Sequence, residues 1–517
     1  GIEFESYGHL MDGFWSPLTT HRDDDYGGSL DNRLRFTDMV LDAVRKAVGE
    51  TFVVGIRMVA DEDIDKGISK EEGIEIARRL ANSGKVDFLN IIRGTIETDA
   101  SLTKVIPVTG MRSSPHLDFA GEVRAATKFP TFHAARISDV ATARHAIATG
   151  KLDMVGMTRA HIADPHIIRK VMEGREHEIR PCVGATYCLD RIYEGGEALC
   201  IHNAATGRES EIPHIIAKSE GPKRRVVVVG AGAGGLEAAR VAAERGHQVT
   251  ILEASSQAGG QVRLATQNPR RKELIGIVDW RLAELDRLGV EIRYDTWAEK
   301  DDVLALSPDV VIVATGGLPQ NPPLVAGDNL VTSSWDIMAG SVKPSDNVLL
   351  YDDNGGHQGM GAAELIANSG SRLELVSPER FFAPEMGGMN HVPYVRAFHE
   401  KGVTVTINTR LRSVRRDGNQ LVAELASDFA DGWRSERRVD QVVVEHGTAP
   451  LDDLYLSLKP LSKNGGAVDY ERLVRGGEIF PSRNPEGGFV LFRIGDAVAS
   501  RNIHAAIYDG IRFGIRI

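Results

Sequence analysis

The stretch VVVVGAGAGGLEAARVAAERGHQVTILE, residues 226–253, decides the fold. Val226–Val229 reads as a buried strand, since a short apolar run bounded by a turn suits a parallel sheet. Gly230-x-Gly232-x-x-Gly235 follows, then a helix over Leu236–Glu244. Gln248–Leu252 is the second strand, and it ends at Glu253. The first glycine permits the tight turn, and the second lets a pyrophosphate approach the backbone. The third allows helix and strand to pack closely. The helix N-terminus favours the phosphate charge. Glu253, about 20 residues on, would accept the ribose hydroxyls. A glycine-rich loop alone is a weak signal. The whole unit of strand, loop, helix, strand and acid predicts a bound dinucleotide, and with it an oxidoreductase or a subunit of one.

Companion motifs lie downstream. Gly259-Gly260 follows the acid, Ala314-Thr315-Gly316 follows a β-branched strand, and Gly495-Asp496 lies near the end. Together they favour a fold with two dinucleotide-binding domains over a simple dehydrogenase. The expected cofactor contacts are Gly230, Gly232, Gly235, Glu253, Gly260, Thr315, Gly316 and Asp496, with FAD, or ADP or NAD, in the same site. A second αβ unit spans 347–378. There Val348–Tyr351 leads into DDNGGHQG, residues 352–359. Asp352 stands at the first glycine position, and Asp352 and Asp353 would repel a pyrophosphate. A nicotinamide site and a structural remnant of one both stay open.

Upstream, residues 1–175 repeat one theme, a short apolar strand followed by an amphipathic helix. Strands are expected at Phe52–Met58, Val86–Ile92, Thr131–Ala135 and Leu152–Met157, with helices at Lys70–Ser83, His116–Thr127, Val140–Thr149 and Pro165–Glu173. Gly1–Phe4 reads as the tail of one more strand. This predicts the second half of a (β/α)₈ TIM barrel, completed by an N-terminal segment or another chain. The fold class is α/β, a C-terminal half-barrel followed by two Rossmann-like domains. The expected division is barrel 1–175, a cysteine segment and linker 176–222, a first dinucleotide domain 223–335 with 470–517, and a second one 336–469.

Composition narrows the classes. The chain has 517 residues, 42% of them hydrophobic and 26% charged, as in ordinary globular proteins. A net charge of −11 argues against a general nucleic-acid binder. No apolar run of about 18 residues predicts a membrane helix. Three cysteines make no disulfide framework, so a reducing, cytoplasmic setting is the expectation. The basic run Lys223–Arg225 reads as a solvated linker end.

All three cysteines, Cys182, Cys188 and Cys200, fall in one short segment, RPCVGATYCLDRIYEGGEALCIHN. Metal or cluster ligation is the preferred reading, with His202 as a candidate fourth ligand for zinc. Buried structural thiols are the alternative. In the barrel, function is expected at the C-terminal strand ends. Arg57, Arg136 and Arg159 lie at such positions and favour an anionic cofactor. Tyr7 and His9 follow the first strand, where a substrate base or donor would sit. A metal held by His9 and His133 is a further alternative.

These residues together resemble the trimethylamine dehydrogenase and 2,4-dienoyl-CoA reductase group, flavoenzymes with an old-yellow-enzyme barrel. His21–Phe36 (HRDDDYGGSLDNRLRF) and Met154–Pro165 (MVGMTRAHIADP) carry the likeness. Within the group the likeness is strongest to bacterial dimethylglycine and N-methylproline demethylase subunits, through Tyr7–Pro17, Val86–Gly94, Ser114–Gly121, Phe132–Arg136 and Arg180–Asn203. By this resemblance the first four barrel strands are absent here. It implies FMN held by Arg57, Arg136 and Arg159, with Tyr7 and His9 on the substrate side. It implies hydride transfer from an N-methyl carbon, with release or transfer of formaldehyde. The implied partners are a small N-methylated amine and a second subunit or electron-transfer protein. Tyr7 and Trp15 would hold the cationic amine by cation–π contact. The alternatives are an NAD(P)H-dependent enoate or dienoyl-CoA-type reductase, and a scaffold or one-carbon-handling subunit. Three departures stand out. Ala185 replaces the second cysteine of the group's four-cysteine cluster motif, which leaves zinc or an incompletely ligated iron–sulfur cluster. Ala135 replaces a phosphate-loop glycine, and Thr95 replaces an acidic residue. The first loop is one residue shorter, so the roles of Tyr7 and His9 are interchangeable.

Overall fold

The computed structural model describes residues 1–320 and 324–517. The chain divides into two compact units, 1–167 and 168–517.

The first unit holds a five-stranded parallel sheet in sequence order: β1 (Ile2–Ser6), β2 (Val54–Val59), β3 (Phe88–Ile92), β4 (Thr131–His133) and β5 (Met154–Val155). Helices Leu30–Val48, Lys70–Asn82, Leu117–Thr127 and Val140–Ala148 make the crossovers that parallel pairing demands. Side chains alternate along each strand. Val54, Ile56, Met58, Leu89 and Ile91 enter the core with Trp15, Leu41 and Ile76. The intervening residues Glu5, Arg57 and Asn90 share one register row on the other face. β4 ends before the expected Ala135 because Ala135 and Arg136 both take positive φ, 72° and 60°. L-residues rarely occupy that region, and a strand cannot continue through it. The helix Leu30–Val48 was not anticipated from periodicity. Ser29 caps it by accepting from the Asn32 backbone N–H.

The second unit contains two parallel sheets of five strands each. In the first, β6 (Arg225–Val229), β7 (Gln248–Leu252), β8 (Glu291–Arg293) and β9 (Val310–Val313) join the strand Val490–Arg493. β6 lies between β7 and β9, so Val226–Val229 is covered on both faces, as its all-valine sequence requires. The helix after the glycine loop starts at Ala233, earlier than expected. It packs on the C-terminal helix Ile503–Gly514, where a Cβ on Gly510 would come within 2.7 Å of the Gly234 carbonyl oxygen. The second sheet runs Thr332–Ser333, Gln441–Glu445, Asn347–Asp352, Arg372–Val376, Thr404–Thr406. A three-stranded antiparallel sheet, Arg410–Asp417, Gln420–Ala426 and Arg434–Val439, flanks it. Strand Thr332–Ser333 belongs to this second sheet, while Tyr455 and Leu458 pack in the core under the first. The chain therefore crosses between the sheets before 336 and returns before 469, earlier than the sequence suggested.

A buried ionic group joins helices Ala233–Glu244 and Gly276–Arg287. Glu237 Oε1 accepts from Arg240 Nη2 at 2.7 Å, and its Oε2 accepts from Arg281 Nε at 2.8 Å. Arg281 also donates to the His202 carbonyl at 3.1 Å, which ties the cysteine segment to this core. Full burial pulls Arg281 down to about 10, while two guanidiniums hold Glu237 well below the usual carboxylate range.

Candidate active site and dinucleotide site

At the C-terminal end of β1 the chain turns sharply. Gly8 has φ +76° and a Cβ there would strike Ile96, so glycine is required. The Asp12 carboxylate accepts from the backbone N–H groups of Gly8 and of His9, the latter at 3.0 Å, which pins the turn. This presents Tyr7 and His9 beside Glu5. Glu5 Oε1 accepts from Tyr7 OH at 3.3 Å and from Arg57 Nη1 at 3.4 Å, and Oε2 lies 3.2 Å from His9 Nε2. The Arg57 guanidinium sits 4.7 Å from the centre of the Tyr7 ring. The structure thus groups Tyr7, His9 and Arg57 around Glu5, a residue the sequence did not single out.

Next to this group two buried polar atoms lack hydrogen-bond partners, Arg57 Nε and Asn90 Oδ1. Asn90 Nδ2 donates to Glu3 Oε1 at 2.8 Å. A carboxylate only accepts, so the amide nitrogen must face Glu3 and the amide oxygen is the atom left over. An unmet buried donor or acceptor costs about 1–3 kcal/mol. A donor and an acceptor on neighbouring strands match the pyrimidine edge of a flavin, which carries both. These residues fit FMN. Arg136, after β4, and Arg159, on the helix Thr158–Ala163, lie elsewhere in the unit and both bond one loop at 107–108. Arg136 Nη1 donates to the Val108 carbonyl at 2.5 Å and Arg159 Nη1 to that of Pro107 at 2.9 Å. Ala135 takes φ 72°, a backbone conformation that glycine adopts without strain.

Two expectations are corrected. Trp15 is fully buried and donates from Nε1 to Thr37 Oγ1 at 2.8 Å, so it is core and walls no pocket. His133 is also buried, with Nδ1 2.7 Å from the Ile91 carbonyl, and burial pushes it down to about 4. It does not join His9 in a metal site, because among the described residues no three His, Cys, Asp or Glu side chains are disposed to hold a metal.

In the second unit a cavity of 1160 Å³ is lined by all eight expected dinucleotide contacts, Gly230, Gly232, Gly235, Glu253, Gly260, Thr315, Gly316 and Asp496. Each glycine of the loop has its own reason. Gly230 takes φ +103°, and a Cβ there would lie 2.3 Å from the Ala314 carbonyl oxygen. A Cβ on Gly235 would lie 2.0 Å from the Gly230 carbonyl oxygen. Gly232 meets nothing within 4 Å, so its missing side chain leaves open space for a pyrophosphate. Gly232→Ala is therefore expected to leave the fold intact and strip the bound dinucleotide. Comparing adenine nucleotide released on denaturation with the unfolding midpoint checks this; equal occupancy in the variant would contradict it. Glu253 accepts from the backbone N–H groups of Ala231 at 2.6 Å and Ser255 at 2.8 Å, which fixes its carboxylate at the loop. Asp496 accepts from Gln261 Nε2 at 2.9 Å and from Thr448 Oγ1 at 3.2 Å. The sequence missed Trp297 and Lys300, which also line the cavity, because no motif marks them.

The second glycine loop is filled from within. Asp352 Oδ1 accepts from the backbone N–H groups of Asn354 at 3.0 Å and Gly355 at 2.9 Å, so the carboxyl occupies donors that a phosphate would need. Burial, with Glu445 nearby, pushes Asp352 up to about 8. Between its ordinary 3.8 and that value the folded chain holds a proton that the unfolded chain has released. Stability must then fall as pH rises through this window, by up to about 1.4 kcal/mol per pH unit. Asp352→Asn should flatten the decline of the unfolding midpoint between pH 3.8 and about 8. An unchanged slope would contradict this.

Among the described residues, those of the cysteine segment included, no group of three or more His, Cys, Asp or Glu side chains is placed to hold a metal. Cys182 and Cys188 are partly buried and Cys200 is buried, and none of the three is in a disulfide. The His202 backbone N–H points at Cys200 Sγ at 3.4 Å, while its ring Nδ1 lies 3.0 Å from the Pro181 carbonyl. Ala185, at the missing-cysteine position, packs against the core, and its carbonyl accepts from Asn390 Nδ2 at 2.9 Å. These residues do not fit a four-cysteine cluster.

A glycine loop at a dinucleotide cavity, and an unpartnered donor and acceptor on a parallel half-barrel sheet that suit a flavin's pyrimidine edge, define a flavin-dependent oxidoreductase. The chain belongs to the NADH:flavin oxidoreductase / NADH oxidase family, matched over residues 2–178, and carries a pyridine nucleotide-disulphide oxidoreductase domain, matched over 196–268 and 224–472. It is 59% identical over 512 residues to "Probable N-methylproline demethylase" of Rhizobium meliloti (strain 1021), covering 99% of this chain and 75% of that protein. It is 44% identical over 528 residues to "N,N-dimethylglycine/sarcosine dehydrogenase" of Chromohalobacter salexigens, covering 99% and 76%. Among solved structures it is similar to a 2-naphthoyl-CoA reductase complex, with TM-score 0.85 and 28% identity over 100% of this chain and 73% of that one. Among the described residues no helix is long and apolar enough to cross a membrane.

Proposed function

We propose that the protein is an oxidative N-demethylase acting on a small N-methylated amino acid such as N-methylproline or dimethylglycine. The observation that carries this reading is the near-complete coverage of the chain at 59% identity to a protein with that name. The grouping of Tyr7, His9 and Arg57 at the sheet's C-terminal end supports it. FMN would be held by Arg57, Asn90, Arg136 and Arg159, and when bound it supplies the hydride acceptor. His9 or Tyr7 takes the ammonium proton, so that the nitrogen lone pair can drive hydride from the methyl carbon. Water then adds to the substrate iminium, giving formaldehyde, the demethylated amine and a proton. An adenine dinucleotide would be held in the second unit's cavity by Gly230–Gly235 and Glu253. Asp352 disfavours nicotinamide binding at the second loop, so electrons leave to an outside carrier or a second subunit. We infer that Cys182, Cys188, Cys200 and His202 hold structure; stoichiometric zinc or iron in the purified protein would overturn that. Anaerobic addition of N-methylproline to the full-length holoprotein tests the main reading. Bleaching of the flavin supports it. No bleaching by any N-methyl amino acid, with NAD(P)H-driven reduction of an enoyl thioester instead, favours the reductase alternative.

A further inference from the structure

The positive charge of an amine substrate has no seat among the residues predicted from the sequence. Trp15 is core, and one face of Tyr7 is taken by the Arg57 guanidinium. Three other carboxylates of this unit are committed. Asp12 is buried on the turn's backbone N–H groups, Glu3 takes the Asn90 amide, and Asp61 is paired with Arg93 at 2.9 Å. Glu5 is different. Its side chain is 49% exposed, and it faces Tyr7, His9 and Arg57 only at 3.2–3.4 Å, the long end of the hydrogen-bond range. A substrate N⁺–H at the usual charge-assisted distance of about 2.7–2.9 Å would compete with these contacts.

We propose that Glu5 is the anionic anchor for the ammonium group of the substrate and so determines specificity for amines; this rests on the demethylase reading. The ammonium takes Oε2 from His9. Once released from the carboxylate, the imidazole passes its Nε2 hydrogen to solvent and takes one up at Nδ1, so that bare Nε2 faces the ammonium and receives its proton: the amine N–H bond breaks, an Nε2–H bond forms, and the lone pair returns to the amine nitrogen. Tyr7 OH and Arg57 keep Oε1 in place during the exchange.

The test compares Glu5→Gln and Glu5→Asp with the native full-length holoprotein. Glu5→Gln is expected to raise KM for N-methylproline about tenfold or more, the scale of one charge-assisted hydrogen bond, with flavin content and unfolding midpoint unchanged. Glu5→Asp should recover most of that loss. A second readout needs no turnover. Proline carries the ammonium N⁺–H groups but no N-methyl hydrogens, so it binds without being demethylated. Its perturbation of the flavin absorption should weaken in Glu5→Gln and return in Glu5→Asp. Unchanged KM and probe binding in Glu5→Gln would overturn the proposal, as would loss of flavin from that variant, which would mark a cofactor-supporting role. If the native protein oxidises no N-methyl amine, the demethylase reading falls. If it does and Glu5→Gln matches it, only the role of Glu5 falls.

Discussion

His9→Ala is expected to lower turnover of N-methylproline by about 10²–10⁴-fold, the usual contribution of a positioned proton acceptor, while bound flavin is retained. The His9 ring is held by a turn that Gly8 permits and Asp12 pins, so its Nε2 projects beside Glu5 and the Tyr7 hydroxyl. It makes no contact with Arg57 or Asn90 among its hydrogen bonds, so the flavin edge should survive its removal. Tyr7→Phe provides the counterpart, because the shortened loop leaves the two roles interchangeable. A larger loss in Tyr7→Phe than in His9→Ala would reassign the proton to the phenol. Native turnover in both variants would remove this turn from the mechanism.

Glu237→Ala is expected to destabilise the second unit by about 3–5 kcal/mol, the cost of leaving buried charge unpaired. Arg240 and Arg281 are 3% and 0% exposed; the Glu237 carboxylate bonds both, and Glu244, 3.0 Å from Arg240 Nη1, supplies the second negative charge. Glu237→Gln keeps the volume and some hydrogen bonding but not the charge, so its loss should lie between native and alanine. Denaturant unfolding followed by circular dichroism measures the effect. A change below about 1 kcal/mol in Glu237→Ala would place the group in the weakly coupled class of surface pairs. Arg281 donates to His202, so the same variant should loosen the cysteine segment before the glycine loop.

Much of this was legible in the sequence where local chemistry dictates local structure. β6 and β7 stand where four valines and Gln248–Leu252 predicted them, because a strand buried on both faces has little freedom in composition. The three loop glycines could be assigned separate roles because each answers a distinct steric demand. The helix Leu30–Val48 was obscured because its first turns coincide with a motif read by resemblance, although Leu34, Thr37 and Leu41 carry a helical buried spacing. Short barrel strands were overextended because periodicity cannot register that Ala135 and Arg136 turn into positive φ. The expectation for Trp15 failed for a related reason. Proximity in sequence to Tyr7 says nothing about which side of the sheet a ring enters, and Thr37 claims its N–H. Glu5 escaped notice because a carboxylate in a strand carries no motif. Only the register with Arg57 and the turn that returns His9 make it central. The cysteine spacing was legible, but whether the thiols converge depends on backbone paths around Gly184 and Thr186 that spacing does not encode.

The central claim is hydride abstraction from an N-methyl carbon, and the most direct measurement couples two readings in one vessel. Full-length holoprotein is mixed anaerobically with N-methylproline, and reduced flavin and free formaldehyde are followed together. The account predicts that they rise in equal amounts, and that replacing the N-methyl hydrogens by deuterium slows both. Flavin reduction without formaldehyde, or a rate indifferent to the label, would contradict it.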